Sequence, residues 1–483
     1  MKNKALLIQK AYINGEWVDA DNKKTFDVIN PATDELLAEM PDMGKAETQT
    51  AIEAAHKAFP SWKNKTAGER ANLLRKWFDL LIANADDLGE LLTAEQGKPL
   101  AEAIGEIHYG SSFIEWFSEE AKRVYGDVIP GHDADKRILV IKQPIGVVGI
   151  ITPWNFPNAM IARKVGAALA AGCTTVIKPA EATPLSALAM AYLAEKAGIP
   201  KGVINIVTTS NPSVVGTEIT TNALVKKISF TGSTAVGKLL IKQSADTVKK
   251  MSMELGGNAP FIVFDDADLD EAVKGAIISK FRNAGQTCVC ANRLYVQSGV
   301  YDVFVEKFSK AVSDLKVGNG FDKGIDIGPL IDKKALQKVE KLVADAVKKG
   351  ANVALGGQKH ALGTTFYEAT ILTDTTADML LSKEEIFGPV APVFRFDTEG
   401  DVIQMANDTE FGLAAYFYGQ NINRIWRVAE ALEYGMVGIN TGLISTAVAP
   451  FGGIKESGFG REGSKYGLDD YLEMKYLCFG GVV

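Results

Sequence analysis

Five short apolar runs, at 147–151, 174–178, 203–207, 226–230 and 260–264, constrain this chain more than any other feature. Their starts lie 27, 29, 23 and 34 residues apart, and amphipathic stretches such as 185–197 fill the intervals. A run that is apolar without alternation is buried on both faces, as in a parallel sheet covered by helices. Repeated strand–helix–strand units therefore predict an α/β fold. Ligands of such sheets bind beyond the carboxyl ends of the strands, so the residues just after each run carry the search for a site.

The 483 residues exceed what one hydrophobic core usually supports, so two or three domains are expected. Helical periodicity covers 46–60 and 67–92, ahead of the strand series. After Gly256-Gly257 a second α/β region begins, with helical patterns near 270–284, 301–314 and 332–348 and strand-like runs near 292–297, 390–396 and 411–418. A bulky apolar run at 471–477 has no obvious partner in the sequence. An unpaired apolar strand is an association hazard, which predicts a homo-oligomer, a dimer or tetramer.

Several function classes fall away on composition. A net charge of -7 and the absence of basic runs argue against nucleic-acid binding. No apolar stretch reaches membrane-spanning length, and the N-terminal apolar stretch is too short for a secretion signal, so a cytoplasmic protein without a membrane partner is expected. The four cysteines make no disulfide framework, and the four scattered histidines show no ligand spacing, so no metal is expected. Gly232-Ser233-Thr234-Ala235-Val236-Gly237-Lys238 nearly spells a triphosphate-binding loop. Leu239 follows where that loop needs a magnesium-binding hydroxyl, so the loop reads instead as a phosphate-binding helix start of another kind.

Two segments carry reactive groups. Phe281-Arg282-Asn283-Ala284-Gly285-Gln286-Thr287-Cys288 sets a thiol in a polar, glycine-containing stretch, and Met253-Glu254-Leu255-Gly256-Gly257 sets a carboxylate 34 residues earlier. With Thr152-Pro153-Trp154-Asn155-Phe156-Pro157, Lys178-Pro179-Ala180-Glu181, Phe230-Thr231-Gly232-Ser233-Thr234 and Glu384-Glu385-Ile386-Phe387-Gly388-Pro389, they stand in an order that resembles the NAD(P)-dependent aldehyde dehydrogenase superfamily. The likeness runs from about residue 12 onward.

The resemblance implies an aldehyde dehydrogenase-like α/β fold. Residues 1–121 and 145–256, with 457–470 returning, would form a dinucleotide-binding domain around a parallel sheet. Residues 257–456 would form the catalytic domain, and 122–144 with 471–483 a small β oligomerisation element. Cys288 would be the nucleophile, adding to an aldehyde to give a thiohemiacetal and then a thioester. A free thiol is mostly protonated at neutral pH, so the site is expected to lower its pKa or assist its deprotonation. Glu254 would activate the hydrolytic water, and the Asn155 amide would stabilise the oxyanion. Thr152, Pro153 and Trp154, with Gly232 and Ser233 at the pyrophosphate, Lys178 and Glu181 at the adenosine ribose, and Glu385 and Phe387 at the nicotinamide, would bind the cofactor. Glu181 repels a 2′-phosphate, so NAD is expected over NADP, with NADP possible.

Within the superfamily the chain is most similar to succinate-semialdehyde dehydrogenases, through Gly97-Lys98-Pro99-Leu100, Cys288-Val289-Cys290-Ala291-Asn292-Arg293 and Gly460-Arg461-Glu462-Gly463. A semialdehyde carries a carboxylate tail, and Arg163, Arg282 and Ser445 occupy the matching tail-binding positions. Glutarate semialdehyde or another short aldehyde is the alternative substrate, since one methylene discriminates only ~10–200-fold. The resemblance also makes Cys290 a redox-switch candidate, through a strained and reducible bond to Cys288.

Overall fold

The computed structural model describes residues 2–482. Four of the five apolar runs form the centre of an eight-stranded sheet, as Ile204–Ile206, Thr174–Lys178, Val147–Ile151 and Val225–Thr231, side by side and parallel. Lys250–Glu254 extends the parallel set beyond Val225–Thr231. Short antiparallel strands close the two edges. Ala11–Ile13 and Glu16–Val18 lie on one side, and Gly458–Phe459 lies on the other.

The fifth run does not join this sheet. Ala259–Val263 lies in a second, seven-stranded sheet between Ala291–Gln297 and Ala414–Tyr418. Spacing along a chain reports that a strand exists, not which sheet it enters. Gly256 and Gly257 carry the chain from the last parallel strand of the first sheet into the second.

Each sheet has its own core. Helices Leu100–Glu120, Ala159–Ala171 and Pro184–Lys196 pack the first, burying Phe113, Phe117, Leu169 and Leu188 completely. Phe261, Phe304, Phe308 and Phe417 are as deeply buried in the second. Each such side chain contributes roughly 1.5–3 kcal/mol relative to exposure.

Helix boundaries follow capping chemistry. The periodic stretch 67–92 is two helices, because the Asn84 amide donates to the Leu80 carbonyl, closing Ala67–Ala83 before Ala85–Gln96 begins. The stretch 270–284 ends earlier than its periodicity, at Phe281. Asn283, Ala284 and Gly285 then take left-handed φ of 52°, 55° and 75°. A Cβ on Gly285 would meet the Gly388 carbonyl oxygen at 2.2 Å, so this turn needs glycine for space as well as for φ.

The apolar run near the C-terminus has its partner inside the chain. Leu472–Phe479 pairs antiparallel with Arg137–Pro144, and Asp127–Ile129 completes a three-stranded sheet. The resemblance groups 122–144 with 471–483, but the apolar pattern alone does not reveal that partner, because its residues are at most half-buried and Arg137 and Lys142 mask the strand. The outer edge of Leu472–Phe479 remains unpaired among the described residues, with Met474 and Tyr476 well exposed. Among the described residues, no helix is long and apolar enough to cross a membrane.

Candidate active site

A cleft of about 280 Å³ opens at the carboxyl ends of the parallel strands. Pro153, Trp154 and Asn155 line it from the loop after Val147–Ile151, and Thr231, Gly232 and Ser233 from the end of Val225–Thr231. Leu255 and Gly256 follow the end of Lys250–Glu254. Cys288, Glu385 and Phe387 face them from the second region. Eight predicted residues, Pro153, Trp154, Asn155, Gly232, Ser233, Cys288, Glu385 and Phe387, thus meet in one cleft.

The backbone around the thiol is tightly fixed. A Cβ on Gly257 would meet the Cys288 carbonyl oxygen at 2.3 Å, so the two segments approach as closely as peptides allow. Asn155 donates its amide Nδ2 to the Gln286 carbonyl at 3.0 Å, two residues before the thiol. One N–H of that amide is spent on this contact, and the second remains for an oxyanion.

The electrostatics oppose the first of the two expected routes to a thiolate, a lowered thiol pKa. Burial pushes the Cys288 thiol up to about 12, and the nearby Glu385 and Glu254 add to the rise. The Arg163 and Arg282 guanidinium groups pull the other way and lose to desolvation. The resting sulphur is therefore a thiol, not a stabilised thiolate. Its alkylation by iodoacetamide should climb with pH from neutrality to about pH 10, near tenfold per unit, because only the thiolate reacts. A rate already flat at neutrality would contradict this electrostatic balance.

Glu254 ends the strand Lys250–Glu254 and is buried, with neither carboxylate oxygen hydrogen-bonded among the described residues. Desolvation raises its pKa well above the ordinary range, and the Glu462 charge raises it further against Arg163 and Lys164. Glu462 itself pairs with Arg163 and Lys164, all three buried. Arg163 also stacks on Phe451, 4.5 Å from the ring centroid, while its Nη2 has no hydrogen-bond partner among the described residues.

The remaining predicted residues lie around the cleft rather than on its wall. Lys178 donates to Glu181 at 3.0 Å just beyond Thr174–Lys178, and Thr152 donates its backbone N–H to the Lys178 carbonyl. Arg282 sits over the Phe156 ring at 5.3 Å and also lines a neighbouring pocket with Pro99 and Glu102. Ser445 is half-buried in the segment 440–453. Cys290 is buried and donates Sγ–H to the Lys280 carbonyl at 3.4 Å, so bonding to Cys288 would first break that contact. Sequence reasoning missed Lys338, whose cation lines the cleft from helix Lys333–Lys348, the buried Lys98–Glu106 pair, and Glu462 as the buried partner of Arg163 and Lys164. Helical periodicity displayed the first as a surface lysine, and nothing in the sequence marks the others as neighbours.

The cleft suits a dinucleotide. Gly232 and Ser233 open the helix Thr234–Ser244, and a helix N-terminus favours an anion; Thr152 Oγ and Thr231 Oγ are buried without partners among the described residues. Trp154 and Phe387 meet edge to face at 5.6 Å, and Glu385 accepts from Gly257 N–H at 3.0 Å.

Comparison with known proteins decides the class. The aldehyde dehydrogenase family profile matches residues 17–477. The chain belongs to the aldehyde dehydrogenase family. It is 66% identical to the glutarate-semialdehyde dehydrogenase of Pseudomonas aeruginosa, over all of both chains. It is 64% identical to the NADP(+)-type succinate-semialdehyde dehydrogenase of Escherichia coli, over 98% of each. The solved succinate-semialdehyde dehydrogenase of Burkholderia pseudomallei superposes with a TM-score of 0.99 at 64% identity, over 99% of both chains. The α/β fold expected from the sequence is therefore the family's fold, and the chain is an NAD(P)-dependent aldehyde dehydrogenase.

Proposed function

We propose that this aldehyde dehydrogenase oxidises succinate semialdehyde to succinate, with Cys288 as nucleophile, Asn155 as oxyanion donor and Glu254 as base. The observation that carries the substrate reading is the pair of guanidinium groups, Arg163 and Arg282, both close enough to act electrostatically on the Cys288 thiol. A substrate whose aldehyde sits at sulphur and whose carboxylate lies a few bonds away would meet Arg282, the free Nη2 of Arg163, and the Ser445 hydroxyl. Arginine forks suit a carboxylate in this role.

In this mechanism the minor thiolate form of Cys288, its proton given up to solvent, adds to the aldehyde carbon, and the second Asn155 N–H takes the developing negative charge. The nicotinamide, when bound near Phe387 and Glu385, supplies the hydride acceptor. Glu254 then takes a proton from the water that attacks the thioester. A carboxyl raised out of its ordinary range is a stronger base, better matched to proton transfer near neutrality. Gly232, Ser233 and Lys338 would hold the pyrophosphate and ribose. Glu181 would hold the adenosine ribose and favour NAD, yet its pairing with Lys178 softens the repulsion of a 2′-phosphate. The Cys290 thiol is the candidate resolving group for oxidised Cys288. The unpaired apolar edge of Leu472–Phe479 supports a homo-oligomer.

Glutarate semialdehyde is the second reading, favoured by the name of the relative at 66% identity. Steady-state oxidation of both semialdehydes and a neutral aliphatic aldehyde, with NAD and NADP in parallel, separates these readings. Arg282→Ala should lower kcat/KM for carboxylated substrates by about 10- to 100-fold, the worth of a charged hydrogen bond, and spare the neutral aldehyde. Equal losses on both would remove Arg282 from the tail site.

A further inference from the structure

Lys98 is 1% exposed, yet it is a cation in the first core, two residues before helix Leu100–Glu120. Its Nζ donates to Glu106 Oε2 at 2.6 Å and to the Asn155 carbonyl oxygen at 2.7 Å, and lies 3.8 Å from the centroid of the Phe156 ring. The other oxygen of Glu106 accepts from the backbone N–H groups of Asn158 and Ala159, at 2.9 and 3.2 Å. Those are the opening N–H groups of helix Ala159–Ala171, where a carboxylate is favoured. One ion pair thus grips the segment 155–159 at both ends. The Asn155 carbonyl is gripped a second time, by Asn283 Nδ2 at 2.9 Å. Asn283 belongs to the left-handed turn leading to Cys288, so donor and nucleophile share one frame.

Stability alone does not account for this arrangement. A buried Lys–Glu pair is often no more stabilising than apolar residues of the same volume, because desolvation consumes the Coulombic gain. Packing could be met by methionine and leucine. What the ions add is direction: a charged donor and a charged acceptor fix the peptide at Asn155 more narrowly than contacts between methylenes can.

We propose that the Lys98–Glu106 pair is a positioning device for the oxyanion donor, holding the Asn155 backbone so that its amide meets the tetrahedral intermediate. The proposal rests on Asn155 being that donor, and it holds for any aldehyde the enzyme accepts.

The test is a cycle of Lys98→Met, Asn155→Ala and the double variant in the full-length enzyme, using whichever aldehyde the wild type turns over fastest. Three readouts are taken: kcat/KM, acylation of Cys288 by a nitrophenyl ester, and alkylation of Cys288 by iodoacetamide. Oxidation and acylation pass through an oxyanion, and alkylation does not. Lys98→Met should slow the first two by roughly 10- to 100-fold, within the range for a lost oxyanion donor, and leave alkylation within about twofold. The double variant should be no slower than Asn155→Ala, because both changes remove one function. Losses that multiply, or alkylation falling in step with turnover, would overturn the proposal in favour of general loosening. If Lys98→Met does not fold, Glu106→Gln is read by the same three measurements, since it keeps the volume and removes the charge. An Asn155→Ala enzyme at wild-type rate would be a distinct outcome, overturning Asn155 as donor and the proposal with it.

Discussion

A Glu254→Gln enzyme should reduce one equivalent of cofactor per site in a fast phase and then nearly stop. The steady-state rate is expected to fall about 10²–10⁴-fold, the usual contribution of a positioned general base. The amide keeps the carboxyl's volume but cannot accept the proton of the attacking water, so the thioester on Cys288 should accumulate. Folding should survive, because the carboxyl replaced is buried, unpartnered among the described residues, and held toward its neutral form by desolvation and by Glu462. Stopped-flow absorbance of the reduced nicotinamide, with intact mass of the quenched enzyme, reads both the burst and the acyl adduct. Loss of the burst would move Glu254 to thiol activation. An unchanged steady state would remove it from the mechanism.

Arg163→Leu should behave quite differently from Arg282→Ala. Arg163 is 1% exposed and shares Glu462 with Lys164, so its loss leaves a buried carboxylate short of positive charge next to Glu254. Breaking a buried pair from one side costs about 3–5 kcal/mol, and activity toward every aldehyde should fall with it. Adding Glu462→Gln should restore most of the stability, because burial already lowers the pKa of Lys164 and its amine can become neutral without a counterion. Oxidation of carboxylated substrates should stay impaired in that double variant if Arg163 Nη2 holds the tail. Denaturant unfolding beside substrate kinetics separates the two roles.

Much of this was legible in the chain. The central parallel strands declared themselves because burial on both faces leaves apolar runs unbroken. Lys250–Glu254 showed only as a short strand-to-loop stretch at 251–253 and not as an apolar run, since its first two residues are only partly buried and its last is the catalytic candidate. Ala11–Ile13 and Glu16–Val18 are three residues each, too short for alternation to register. Cys288, Asn155 and Glu385 were readable from their segments, and the cleft unites them. The pKa of Cys288 was not readable, because it depends on how completely the fold dries the sulphur. Nor were the partners of Lys98 and Arg163, which fold topology alone brings together.

The ion pairs of Glu462 also set a timetable. Arg163 and Lys164 emerge early in synthesis, and Glu462 follows about 298 residues behind Lys164. At ~5–20 residues per second, the growing polypeptide spends tens of seconds with those cations lacking their counterion. The first sheet also waits for its edge strand Gly458–Phe459, which docks beside Glu254 from the same late segment. The catalytic cluster is therefore among the last parts of the molecule to close, so an interrupted translation product would lack an assembled reactive centre.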